Sequence, residues 1–411
     1  MEKITFCIPT KNNRRYLEAC IPSIRKNSYR KDHDIIVFVD ADNDGTVEWL
    51  ESVKDEYNLK YIVNDTDGLY GIGRAYDKCI EESTTDIFMI FHADMMLAKD
   101  ADLEAFKYLD KKKVVCATRI EPPLHPEGPE KIVVDFGMWP EPFDAETDPE
   151  GFKEKEFDEL VEEAKEQFKD KTTSGCFAPW MMYKDEFLGM GGHDPRFASA
   201  REDSDVFNRL VLDGFDLIQS WESLVYHLTA RAGQFQHGKL TKDHSQKSTE
   251  WQRLMNNSTR EFFRKWGSAV SHDSYMKPII HPKYDIGFII HNCDLNTLFH
   301  LEPWCSTIYV ENKTFIELYL EAEQENTTDD LSERVKTMDS EHKNDILIEF
   351  DSSKLTDESF NVLTNLSKIL ENSGQLPEEG ENFIEMELGI FNVKIKSLNR
   401  LEGELIKCHL I

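Results

Sequence analysis

Hydrophobic residues along this chain fall into short runs separated by stretches with helical spacing. Residues 3–10 (KITFCIPT) form one such run, which stops at Pro9. Others are 35–40 (IIVFVD), 59–65 (LKYIVND), 87–91 (IFMIF) and 114–120 (VVCATRI). Runs this short, rich in β-branched and aromatic residues, predict strands buried on both faces. Between the first two, Tyr16, Leu17, Cys20 and Ile24 recur at helical spacing, and helices are also expected over 46–57, 74–82 and 101–109. Strands alternating with helices at this pitch predict an α/β fold with a mostly parallel sheet and helices on both faces.

Past residue 120 the alternation breaks. Residues 121–150 are proline-rich, and 150–170 read as a charged amphipathic helix whose ordinary role is a solvated surface. Helices are expected again over 203–212 and 249–266, separated by the run DLIQSWESLVYHL and a polar, basic stretch, 229–248. Residues 271–283 (SHDSYMKPIIHPK) read as a linker. A new alternation then begins (IGFIIHN, STIYVEN, ILIEF), which predicts a smaller α/β domain over 284–411 beside a larger one over 1–270. A chain of 411 residues is long enough for two separate cores.

Composition narrows the classes of function. The net charge is −30, and residues 284–411 alone hold 26 acidic and 10 basic residues. Nucleic acid is an unsuitable partner for such a chain, since phosphate neutralisation needs clustered Lys and Arg. A nucleoside diphosphate remains suitable if a metal ion or a few local basic groups meet it. No apolar run approaches the roughly 20 residues of a membrane helix. The start, MEKITFCIPT, lacks the pattern of a signal peptide. Eight scattered cysteines without CxxC spacing point to free thiols, a reducing compartment and a cytoplasmic protein.

The candidate chemistry sits where strands end. DIFMIFHADMML places His92 and Asp94 just past a buried strand, where open α/β sheets bind ligands. Asp94 there is either a cap or a ligand to a divalent ion, with His92 beside it. Asp40, Asp42, Asp44, Gly45 and Glu51 match the calcium-loop pattern of an EF-hand. An EF-hand loop follows a helix, however, and this one follows a strand. The competing readings are a nucleotide contact through Asp40 and plain capping by Asp44 or Thr46. Gly71 and Gly73 open a helix beside Arg74, as a structural turn or an anion contact. Glu202, Asp203 and Asp205 begin another helix. They either complement its dipole or include a general base for an incoming hydroxyl. His227 ends SLVYH as a structural residue or a third metal ligand. Arg231, Lys239 and Lys242 are phosphate contacts or surface charges.

Taken as an ordered set, FCIPTKNN, IVFVDADNDGT, GLYGIGRAYD, DIFMIFHADMML, GGHDPRF, AREDSDVFNRLVLDGFD and VYH resemble the family 2 glycosyltransferases. The resemblance covers roughly residues 3–230. It implies the GT-A fold, a Rossmann-like nucleotide-sugar-binding domain. It also implies a nucleotide-sugar donor (UDP-sugar through Asp40), a glycan or other hydroxyl acceptor, Mn²⁺ or Mg²⁺, and inversion at the anomeric carbon. By position, Pro9, Thr10, Asp40, Arg74 and Asp94 would bind the donor. Trp180, Gly191 and Gly192 would meet the acceptor or sugar. Asp94, His92 and His227 would hold metal, and Asp203 would be the base with Glu202 beside it. Two departures stand out: His92 replaces the first acid of the DxD motif, and Asp77 stands where the family often has Asn.

Two other classes compete. One is a nucleotidyltransferase, which would carry a glycine-rich basic loop where this chain has IPTKNNRR. The other is a calcium- or carbohydrate-binding interaction protein on a degenerate transferase fold. For residues 284–411, acceptor binding, homo-oligomer formation and partner docking are all open roles.

Overall fold

The computed structural model describes residues 1–123, 127–137, 151–229, 249–374, 377 and 383–408. Arg231, Lys239 and Lys242 lie outside them, as does much of the proline-rich stretch. Two compact units emerge. One gathers Met1–Met255, His272–Pro278 and Cys408; the other gathers Asn256–Ser271 and Ile279–Lys407. The chain passes from the first unit to the second inside a helix, between Met255 and Asn256, and crosses twice more within 271–283, after Ser271 and after Pro278. Arg260 and Arg264 of that helix bind Glu323 and Glu302, all within the second unit.

Among the described residues the first unit holds ten strands. They are β1 (Thr5–Lys11), β2 (Asp34–Ala41), β3 (Leu59–Val63), β4 (Ile87–Ile90), β5 (Met95–Leu97), β6 (Lys113–Glu121), β7 (Lys131–Val133), β8 (Thr172–Thr173), β9 (Trp180–Tyr183) and β10 (Asp216–His227). The sheet runs β3-β2-β1-β4-β9-β6-β10-β5, with β7 on β6 and β8 on β10. Pairing is parallel from β3 through β4 and between β6 and both β7 and β10. Strand β9 runs antiparallel between β4 and β6, and β5 runs antiparallel to β10. These short reversals carry weaker sequence signals than the long buried runs do.

Helices α1 (Arg14–Asn27), α2 (Thr46–Val53), α3 (Ile72–Glu81), α4 (Ala101–Phe106), α5 (Glu154–Gln167), α6 (Lys184–Gly189) and α7 (Glu202–Leu212) flank this sheet, and α8 (Thr249–Trp266) follows it. Successive strand side chains point to opposite faces, so the core splits in two. Phe6, Ile8, Val37, Val39 and Met89 meet Leu17, Cys20, Ile21 and Ile24 of α1 on one face. On the other, Cys7, Ile36, Phe38, Phe88 and Ile90 meet Ala75, Cys79 and Ile80 of α3 and Val206, Phe207 and Leu210 of α7. Truncating a buried aromatic such as Phe88 to Ala costs about 3–5 kcal/mol. The continuous apolar character of β1, β2 and β4 follows from this double burial.

The second unit has β11 (Ile286–His291), β12 (Thr307–Val310), β13 (Val335–Thr337), β14 (Ile346–Asp351), β15 (Ile384–Leu388) and β16 (Phe391–Ile395), in the order β13-β12-β11-β14-β16-β15. The first four are parallel, and β15–β16 is a hairpin closed at Gly389, whose φ of +62° suits glycine. Its polar centre is Glu302, fully buried. Glu302 accepts hydrogen bonds from Arg264 (2.8 Å), Arg334 (2.5 Å) and the Tyr319 hydroxyl (2.8 Å). Burial opposes ionisation of this carboxyl, but Arg334 and Arg264 outweigh it and hold its pKa down to about 2. Among the described residues no helix is long and apolar enough to cross a membrane.

Candidate active site

Strand pairing builds the site at the carboxyl edge of the first sheet. Phe91 N–H donates to the Cys7 carbonyl at 3.0 Å, and a turn at His92–Asp94 leads into β5. Because Met95 pairs with His227 across the β5–β10 ladder, His227 arrives beside Asp94. Leu228 N–H donates to the Asp94 carbonyl at 3.0 Å, and His227 Nε2 lies 3.7 Å from Asp94 Oδ1. The rings of His92 and His227 meet edge to face, with centroids 5.5 Å apart.

The other neighbour of β10 is β6, where Tyr226 pairs with Ile120. That register sets Glu121 against His227, Oε1 to Nδ1 at 2.8 Å. Lys131 Nζ and Arg119 also reach the Glu121 carboxylate, at 3.1 and 3.2 Å. Burial works against its charge, but the hydrogen bond from His227 and the charge of Arg119 outweigh it and keep it ionised well below the usual range. An ionised Glu121 accepts from Nδ1–H, which turns Nε2 toward Asp94. Burial, then the neighbouring His227, pull His92 down to about 4, so it is neutral at pH 7.

His92, Asp94 and His227 thus offer two imidazole nitrogens and a carboxylate oxygen, all within 4.8 Å of one another. That donor set fits a divalent ion, and a carboxylate behind a ligating histidine is its usual support. Glu121 was not among the sequence candidates. The signal existed, since it is an acid directly after a buried strand, as Asp94 nearly is.

Pro9, Thr10 and Asp40 lie together at the ends of β1 and β2, where Pro9 pairs with Phe38 and Thr10 with Val39. Asp40 Oδ1 accepts from the Tyr70 N–H at 2.8 Å and from Asn64 Nδ2 at 3.0 Å. One oxygen of this carboxylate therefore fixes the 64–70 turn. The Tyr70 ring packs on Phe38 at 4.7 Å, and the exposed Arg74 guanidinium lies over Tyr70 at 4.5 Å.

The EF-hand-like residues form a strand–turn–helix instead. Asp42 accepts the N–H groups of Thr46 and Val47, and Asp44 accepts those of Arg14 and Thr46. Glu51 faces Lys54 and Tyr61. These carboxylates hold the start of α2 and its surroundings, which is the capping reading, with Asp42 added to it.

Glu202 and Asp203 open α7. Asp203 is exposed, with Oδ1 accepting from the Ser204 N–H at 2.6 Å. Glu202 is half-buried as a residue, but its Oε2 is shut from water and has no hydrogen-bond partner among the described residues. Burial, then the Asp203 charge, raise its pKa to about 8. The third acid, Asp205, is fully buried and pairs with Arg209 at 2.7 Å. Arg209 also donates to the carbonyls of Met190 and Gly192.

Gly191 and Gly192 are demanded by packing. A Cβ on Gly192 would lie 2.6 Å from Asp77 Oδ2, and one on Gly191 would lie 2.5 Å from the Cys408 carbonyl. Asp77 binds the His193 ring at 2.6 Å and its N–H at 2.9 Å, which accounts for an acid where the family often has Asn. Trp180, expected against the acceptor or sugar, is instead a core residue. It is 2% exposed, with Phe88 at 5.4 Å and Phe187 at 5.7 Å. Inserting β9 between β4 and β6 turns that ring into the apolar layer beneath α6 and α7.

Residues 5–185 match the family described as Glycosyl transferase family 2. Over 110 residues the chain is 32% identical to the abequosyltransferase RfbV of Salmonella typhimurium, a match spanning 26% of this chain and about a third of that protein. Among solved structures, S. aureus TarS 1–349 in complex with UDP aligns with a TM-score of 0.40 at 13% identity, covering 64% of this chain and 72% of that one. GalNAc-T7 with UDP, GalNAc and Mn²⁺ aligns with a TM-score of 0.42 at 13% identity, covering 64% and 50%. The matched segment runs from β1 into α6, so the likeness to this family falls on the part of the first sheet that carries His92 and Asp94, and the chain spans about a third of the length of the curated relative it matches.

Proposed function

We propose that this protein is an inverting, divalent-metal-dependent glycosyltransferase that moves a sugar from a nucleoside diphosphate, UDP first among them, to an acceptor hydroxyl. The observation that carries the reading is the approach of His227 Nε2 to Asp94 Oδ1, 3.7 Å, with His92 beside them and Glu121 behind. Two nitrogens in the donor set favour Mn²⁺ over Mg²⁺. A bound divalent ion would neutralise the diphosphate as it departs. Pro9, Thr10 and Asp40 line the nucleoside side, with Arg74 nearby. Gly191 and Gly192 shape the wall that ends at His193.

In this reading Asp203 is the general base. Its exposed carboxylate takes the proton of the acceptor hydroxyl as that oxygen bonds to the anomeric carbon. The bond from carbon to the diphosphate oxygen breaks on the opposite face, so one displacement inverts the centre. Glu202, kept neutral, adds no second charge beside the base. The chemistry belongs to the amino-terminal domain, drawn from the sequence as 1–270, and none is assigned to residues 284–411.

The test is release of nucleoside diphosphate from a panel of nucleotide sugars with Mn²⁺ and candidate acceptors. Asp203→Asn should retain donor affinity and lose about 10²–10⁴-fold in kcat. Near-normal turnover by that variant would remove Asp203 from its role. Release of pyrophosphate instead would favour the nucleotidyltransferase reading.

A further inference from the structure

Two consecutive residues just before the proposed base lie in the left-handed region of the backbone. Ala200 has a φ of +66° and Arg201 a φ of +70°, and neither is glycine. Backbone of this kind persists only where its surroundings fix it. Glu202 and Asp203 follow directly as the first residues of α7, so the start of that helix has to be held by something outside it.

The hold runs through one turn. Asp205, two residues after Asp203, is fully buried, and its N–H donates to the Arg201 carbonyl at 2.9 Å. Its carboxylate pairs with Arg209, itself 1% exposed, at 2.7 Å. Arg209 Nη2 donates to the Gly192 carbonyl at 2.6 Å, and Nη1 to the Met190 carbonyl at 3.3 Å. A buried ion pair thus rivets α7 to residues 190–192, the turn that follows α6.

That turn is gripped a second time. The chain leaves the second unit after Lys407 and returns to the first at Cys408. Cys408 N–H donates to the same Met190 carbonyl, at 3.1 Å. Its own carbonyl stands 2.5 Å from where a Cβ on Gly191 would lie. Its Sγ has Asp194 and Asp205 for company, with atoms of all three within 4.8 Å of one another. Backbone and thiol of Cys408 therefore both meet the node that seats Arg209. Residue 408 lies far outside the matched segment, 5–185. We infer that Cys408 is a strap that positions the base. By fixing the Met190–Gly192 turn it fixes Arg209, and through the Asp205–Arg209 pair it fixes the strained start of α7 that carries Asp203. Cys408 is a positioning residue, acting through Arg209, and its effect on catalysis rests on the glycosyl-transfer reading above.

Cys408→Pro removes the N–H that meets Met190 and leaves the chain otherwise complete. A chain cut after Lys407 removes the strap altogether. In both, kcat for sugar transfer should fall about 10–100-fold while Kd for UDP with Mn²⁺ stays within about twofold, because a base displaced by about an ångström loses its reaction geometry and the nucleotide is bound elsewhere. Amide hydrogen exchange should quicken over 198–205 and stay unchanged over β1 and β4. Unchanged kcat in both variants would overturn the inference. So would a parallel loss of kcat and UDP affinity, or faster exchange spread over the whole first unit, since either would mark a general loss of structure. Failure of the glycosyl-transfer reading looks different: wild type itself then releases no nucleoside diphosphate from any nucleotide sugar, and the catalytic role of Cys408 falls with that reading.

Discussion

His227 Nδ1 lies 2.8 Å from Glu121 Oε1, across 106 residues of chain, while Nε2 of the same ring faces Asp94 at 3.7 Å. The first contact sets what the second can do. A histidine whose Nδ1–H is held by an ionised carboxylate offers Nε2 as a lone pair in a fixed direction.

Glu121→Gln should therefore weaken Mn²⁺ binding by about 10–100-fold, the usual effect of losing such a support. Titration calorimetry of the variant against wild type reads this directly. Unchanged Mn²⁺ affinity would show that Glu121 serves only its ion pairs with Arg119 and Lys131.

Glu202 makes stability depend on pH. Its folded pKa of about 8 lies above the ordinary carboxyl value, so the folded chain holds a proton that the unfolded chain releases. Its contribution is full below the ordinary value and is lost as pH rises through about 8. Melting curves between pH 5.5 and 8.5 should fall more steeply for wild type than for Glu202→Gln, which cannot ionise. Parallel curves would remove Glu202 as the source.

Calcium offers a sharp contrast. Asp42 already accepts two backbone N–H groups at the start of α2. Asp42→Ala should cost about 1 kcal/mol of stability, as loss of a cap does, and leave any Ca²⁺ isotherm unchanged. Tight Ca²⁺ binding abolished by this substitution would restore the calcium-binding reading.

In the second unit, Glu302→Ala would leave Arg264 and Arg334 buried without their shared partner. A loss of about 3–5 kcal/mol is expected, visible by calorimetry as an earlier transition of the full-length chain. Glu302 also has a depressed pKa, so its contribution is present above the ordinary carboxyl value and lost as pH falls toward about 2. Glu302→Ala should therefore flatten the acid limb of the stability profile.

Much of this was legible along the chain. Strands β1, β2, β4 and β6 announced themselves because both their faces are buried, and Asp94 drew notice as an acid closing such a run. The expected helix over 249–266 has those bounds in the structure. What stayed hidden was register. Nothing local in VVCATRIE says that its last residue meets a histidine from β10. Nothing in APWMMY says that this short strand runs antiparallel in the middle of the sheet, which is why Trp180 looked like a ligand contact and is core.

The antiparallel pairing of β5 with β10 has a consequence for how such a site can vary. The ligands proposed for it are spaced by the alignment of a ladder, not by distance along the polypeptide. Loops between β6 and β10 can lengthen, shorten or exchange without disturbing His227 and Asp94, provided the rungs keep their alignment. A single residue inserted within Met95–Leu97 would do the reverse, turning every side chain after it to the opposite face. The tolerance of this protein to change is thus broad in its longest connections and narrowest in its three-residue strand.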